Sequence, residues 1–133
     1  MYEELEVSKD LSRILSKISV IASNIREKYY ESIEQFYMEG YSEHDCVEIN
    51  GELAGQLLRH GIKAELVPVT HLLDYATKHY AVRVDLGRKK LIVDIVPELT
   101  GLIPQDDILY EPLILTEEQY VAFFEIYYIK LLI

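Results

Sequence analysis

The chain has 133 residues, half of them hydrophobic, with 23 acidic against 13 basic side chains, a formal net charge of −10 and one cysteine. That is the size of one ordinary domain, with enough apolar residues to bury a core of its own. A single cysteine excludes an intramolecular disulfide, and the acidity argues against a nucleic-acid groove, which needs clustered Lys and Arg to neutralise phosphates. No signal peptide is expected, because Met1–Asp10 is polar and acidic rather than basic and then apolar. No apolar run approaches membrane-spanning length, so no membrane partner is expected either. A lone thiol suits a reducing compartment, and the expected location is cytoplasmic.

In chain order, Ser8 is a candidate cap for a first helix in which Leu11, Ile14, Leu15, Ile18, Ile21, Ala22 and Ile25 recur at helical spacing. Ser23 and Asn24 either break it or face water. A second helical stretch places Ile25, Tyr29, Ile33, Phe36 and Tyr37 on one face and stops at Gly40. A polar loop, Tyr41–Asp45, leads to a helix that opens at Cys46 and runs to His60, with Gly61 as its stop. Gly51 and Gly55 lie inside that helix, where each costs propensity, and a closely approaching backbone is the expected reason for them.

"IKAELVPVT" reads as an extended segment whose Pro68 marks an edge or terminal strand. "HLLDYATK" is a loop or a short helical turn. "HYAVRVDL" and "KLIVDIV" are two β-type runs around Gly87 and Arg88, and they read as a hairpin. The densest basic cluster, Arg88, Lys89 and Lys90, is then a solvated turn. Pro97 to Pro112 reads as an ordered loop. "TEEQYVAFFEIYYIKLLI" opens with Thr116 and Gln119 at capping-box spacing and reads as a final helix, with a part-strand ending as the alternative. The order predicts one α+β domain: a helical part over 1–40, a core over 41–97, and a loop with a terminal helix over 98–133.

Cys46 is the residue with chemistry to offer. A thiol where a helix begins sees the positive end of the helix dipole and unpaired N–H groups, which favour thiolate and can hold an oxyanion. A nucleophile of this kind needs a base, and the base needs an orienting group. His79 opens the first strand of the hairpin and Asp94 lies in the second. A hairpin turning at Leu86–Arg88 pairs residues whose numbers sum to about 174. His79 is then one step from Asp94, and a small register change sets them side by side. A carboxylate there fixes the imidazole tautomer and stabilises imidazolium. Asp94 inside "LIVDIV" must be buried and partnered, and Arg83 or a tyrosine hydroxyl is the alternative partner. His71 is the rival base. His44 and His60 read as bland, and the His44–Cys46 run lacks zinc-ligand spacing, so no metal and no cofactor are expected.

"DCVEINGELAGQLLRHGIKAELVPV", "KHYAVRV" and "KLIVDIVP" together resemble the transglutaminase-like branch of the papain-like cysteine protein superfamily. The likeness covers roughly residues 43–97: a cysteine opening a helix, "LLRHGI", an extended run, a histidine leading a strand, and an aspartate in the next strand followed by Pro97. Tyr80 stands where the family often has tryptophan, and Asp45 where it often has glycine. The resemblance implies a Cys46–His79–Asp94 triad and a cysteine-dependent amide or acyl hydrolase acting on a peptide or protein through a thioester. An inactive interaction domain or a toxin-like effector of the same fold is the alternative. Tyr41, Gln35, Asp45 and Tyr80 are the candidates for oxyanion or substrate contacts, and the amphipathic helices and apolar tail suit a homodimer.

Overall fold

The computed structural model describes residues 2–33, 43–71, 78–96, 112–125 and 129–131. Among these residues the main elements are, in order, α1 (Tyr2–Lys28), α2 (Glu43–Arg59), β1 (Lys63–His71), β2 (Lys78–Asp85), β3 (Lys90–Asp94), β4 (Leu113–Thr116), α3 (Glu117–Glu125) and β5 (Ile129–Leu131). The strands form one sheet in the order β4-β3-β2-β1-β5, with every pairing antiparallel. This is the α+β arrangement the order of elements predicts.

Ser8 does not cap the first helix, because α1 already begins at Tyr2 and Ser8 lies within it. Ser23 and Asn24 do not break it; both are helical and exposed, while Ile18, Ile21, Ala22 and Ile25 are buried on the other side. A turn at Tyr29 precedes a further helical stretch at residues 30–33, where Ile33 is buried. Phe36, Tyr37 and Gly40 lie outside the described residues.

α2 lies between α1 and the sheet, packing on β1 and β2. Its buried stripe of Cys46, Ile49, Leu53, Ala54 and Leu57 recurs at spacings of three and four, so one face meets the sheet. That face joins Ile18, Ile21, Ile25, Val82, Val84, Leu91 and Val93 in the main core. Gly61, at φ 75°, ends the helix in the left-handed conformation, and Ile62 N–H closes back onto the Leu57 carbonyl at 2.9 Å.

Along β2 and β3 the side chains alternate between the two faces of the sheet. Val82 and Val84 face α2, which leaves Ala81, Arg83 and Ile92 to the opposite face. There α3 packs: the Arg83 guanidinium bonds the Glu117 carboxylate at its first turn, and Tyr120 is buried. Thr116 and Gln119 form the capping box in both directions, Gln119 N–H to Thr116 Oγ1 at 3.1 Å and Thr116 N–H to Gln119 Oε1 at 3.0 Å.

The chain beyond α3 is not all helix. β5 follows, and residues 129–131 pair with Val69–His71. β4, which lies ahead of α3, escaped the sequence reading because four residues carry no usable alternation. Four successive antiparallel pairings make β4 and β5 parallel, so β4–α3–β5 is a crossover joining the two edges of the sheet. Pro68 lies opposite Tyr80 of β2, and among the described residues it falls one position before β1 takes up β5, where β1 is still an edge.

The glycines of α2 do not admit a neighbouring backbone. A Cβ on Gly51 meets nothing within 4 Å, and one on Gly55 meets only the Arg59 guanidinium at 3.7 Å. Gly51→Ala therefore gains helix propensity without a clash and raises stability by about 1 kcal/mol. A higher urea midpoint with an unchanged m-value is the expected result.

Candidate active site

α2 begins at Glu43, three residues earlier than the sequence suggests, so Cys46 closes its first turn rather than opening it. The sulfur still lies at the positive end of a 17-residue helix. The hairpin register corrects the sequence reading by one: partner numbers sum to 175 from Val82↔Val93 to Asp85↔Lys90. One more step sets Asp94 opposite Ala81, and His79 becomes its diagonal neighbour on the same face, within side-chain reach. The loop that fixes this register closes with Leu86 N–H on the Lys89 carbonyl at 2.8 Å and has Gly87 at φ 86°.

His79 Nε2 meets Asp94 Oδ2 at 2.7 Å, with His79 4% and Asp94 0% exposed. Asp94 accepts three more hydrogen bonds among the described residues. The Tyr120 hydroxyl donates to Oδ2 at 2.9 Å. Asn50 Nδ2 donates to Oδ1 at 3.2 Å and the Val96 N–H to the same oxygen at 3.1 Å. The last of these is a local turn that ends β3.

Asn50 is itself filled: Nδ2 also donates to the Tyr80 carbonyl at 2.7 Å, and Oδ1 accepts from the Ile95 N–H at 3.0 Å. The Arg26 guanidinium donates to the Ile95 carbonyl, so α1 also holds this strand end.

With Nε2 taken by Asp94, Nδ1 is the nitrogen left for Cys46. It has no partner at ordinary hydrogen-bond geometry among the described residues. The buried Cys46 thiol is near enough to interact with the ring and raise its proton affinity. Burial alone pulls the imidazole pKa down. The Asp94 charge and hydrogen bond, with smaller contributions from Cys46, outweigh it and hold His79 up at about 10. The imidazole is therefore charged at neutral pH, and its Nε2–H is the donor to Asp94.

The structure thus brings Cys46, His79 and Asp94 together. Tyr80 contributes its carbonyl to the network through Asn50, while its half-buried side chain packs against the main core. Gln35 and Tyr41 lie outside the described residues. Only the backbone is described for Asp45 and His44 in α2 and for His71 at the end of β1. His60 is exposed, its Nδ1 2.8 Å from the Gln56 carbonyl. Arg83, the alternative partner for Asp94, pairs instead with Glu117 and Glu65.

Two site residues escaped the sequence reading. Asn50 had a signal: it follows Cys46 by four on a helix and interrupts an apolar stripe. Tyr120 had none that separates it from the other ten tyrosines. Among the described residues no group of three or more His, Cys, Asp and Glu is arranged to hold a metal, and no helix is long and apolar enough to cross a membrane. Compared with protein-family models, curated proteins and solved structures, the chain matches none.

The raised His79 pKa makes stability depend on pH. An unfolded imidazole titrates near 6.5, and the folded one at about 10. The native state keeps its proton where the unfolded state has lost it. The stabilisation is complete below about pH 6.5 and drains away as pH rises towards 10. Urea unfolding at several pH values should show this fall in wild type and a smaller one in His79→Gln. Parallel pH profiles would contradict the charged imidazole.

Proposed function

We propose that the protein is a cysteine-dependent amide or acyl hydrolase with a Cys46–His79–Asp94 triad of transglutaminase-like, papain-like type. The observation that carries this reading is a buried imidazole bonded through Nε2 to a buried aspartate, its other nitrogen left for the chain's only thiol. Chain order, helix placement and strand placement agree with the family pattern seen in residues 43–97. The substrate class is a peptide or protein amide.

In this mechanism the thiol proton already resides on His79 Nδ1, and the Cys46 sulfur attacks the carbonyl carbon as the thiolate of that ion pair. The tetrahedral oxyanion collapses to a thioester as His79 returns the proton to the leaving amine. Water then gives a proton to His79 and attacks the thioester; the acid is released, and the sulfur leaves as thiolate beside the protonated imidazole, restoring the starting pair. Asp94 stays ionised throughout, aligning the ring and stabilising its positive charge. Water, the acceptor always present, makes hydrolysis or deamidation the expected outcome rather than cross-linking.

One observation favours the alternative of a non-catalytic domain that keeps the fold. Cys46, Asp94 and Asn50 are each 0% exposed, and a sealed network of this kind also serves as a structural polar core.

Acylation separates the two. The protein is incubated with p-nitrophenyl acetate near neutral pH, and the Cys46 peptide is followed by mass spectrometry. On the hydrolase reading wild type forms an acetyl-Cys46 thioester that turns over, and Asp94→Asn forms it 10²–10⁴-fold more slowly, about the range of acid–base assistance. Absence of the adduct in folded wild type, with a lowered melting temperature in Asp94→Asn, identifies a structural network and sinks the hydrolase.

A further inference from the structure

Asp94 Oδ2 serves two donors from different elements: His79 Nε2 at 2.7 Å from β2 and the Tyr120 hydroxyl at 2.9 Å from α3. We propose that Tyr120 is a positioning residue of the thiol site. By sharing Oδ2 with the imidazole, it limits the carboxylate's pull on His79 and sets the pH range in which His79 exchanges a proton with Cys46. This rests on the hydrolase reading above.

The physical basis is competition for charge on one oxygen. Oδ1 is already occupied by Asn50 and the Val96 N–H, so the His79 bond and the Tyr120 bond divide Oδ2. Each donor draws density from the carboxylate and weakens what remains for the other. An Asp94 bonded by His79 alone on that oxygen holds the imidazolium too tightly to release its proton. With Tyr120 present the pull is shared.

Tyr120 is suited to this role and is held in it. Its side chain is 0% exposed. Burial first, then the Asp94 charge and hydrogen bond, then the nearby Cys46, push its ionisation well above the usual tyrosine range. The hydroxyl therefore stays a donor wherever the enzyme works. The Thr116–Gln119 capping box and the Arg83–Glu117 ion pair fix the first turn of α3, which sets where Tyr120 meets the sheet. Among the described residues, the titratable groups acting on the pair are Cys46 from α2, His79 from β2, Asp94 from β3 and Tyr120 itself, with the neutral Asn50 beside them.

Tyr120→Phe keeps the ring and removes only the donor. Replacing the same residue by 3,5-difluorotyrosine keeps the fold contacts and makes the hydroxyl a stronger donor. With histidine labelled in ¹⁵N, the His79 Nε2–H resonance and the imidazole titration are followed by NMR. Tyr120→Phe is expected to move the Nε2–H downfield and raise the His79 midpoint by roughly one pH unit. The fluorinated residue is expected to shift both the opposite way. If Tyr120→Phe does not fold, the fluorinated protein decides alone.

The pH profile of Cys46 acetylation should follow the same shifts. Unchanged His79 signals in the folded variants, with wild-type Cys46 reactive, overturn the proposal for Tyr120. An unreactive wild-type Cys46 overturns the hydrolase reading instead, whatever the NMR shows.

Discussion

A carboxylate with no access to water has to be satisfied by the protein, and Asp94 imposes that requirement on the whole molecule. An ionised group left bare in the interior costs several kcal/mol, so the fold must deliver donors to it from several directions. It does so from α2 through Asn50, from β2 through His79, from α3 through Tyr120, and from its own strand end through Val96. Elements far apart in sequence are thereby tied to one pair of oxygens. One end each of β2 and β3, the first turns of α2 and the seated face of α3 all converge on this single residue.

Such a network is expensive to assemble and costly to break. A buried ion pair gains little over well-packed apolar residues, while removing one partner strands the other. A purely structural core would do as well with aliphatic side chains here, as it does in the Ile18, Leu53, Val82 and Val93 cluster nearby. Retaining charge at this point makes sense where the charge has a task. The carboxylate raises the imidazole pKa, because Asp94 more than offsets the desolvation that drives a buried histidine neutral.

Most of the site was legible in the sequence because its parts lie on elements with strong local signatures. Cys46 stands at a helix entry. His79 and Asp94 sit on strands marked by β-branched runs and joined by a glycine turn. The one-residue error in register came from placing the turn without knowing that the Leu86–Lys89 loop closes on itself. Asn50 was legible in principle, as the polar break in an apolar stripe. Tyr120 was not. Its partner lies 26 residues away across a crossover, and no local pattern reports which face of a sheet a later helix will cover. The same limit hid β4 and β5, strands of four and three residues whose existence depends on finding β3 and β1. Helix starts were misplaced at Ser8 and Cys46 because a polar residue within a helix offers the same local signal as a cap.

The crossover from β4 through α3 to β5 gives the molecule a timetable. As the chain leaves the ribosome, α2 and the β1–β3 meander have all their residues once position 96 has emerged. Their contacts are short in sequence separation and quick to form. At that moment Cys46, His79 and Asp94 are all present, yet the carboxylate still lacks the hydroxyl of residue 120. β5, which pairs with Val69–His71, arrives later still. A nascent chain therefore carries Cys46, His79 and Asp94 before it carries Tyr120, and the buried carboxylate gains its full set of described donors only after α3 has emerged.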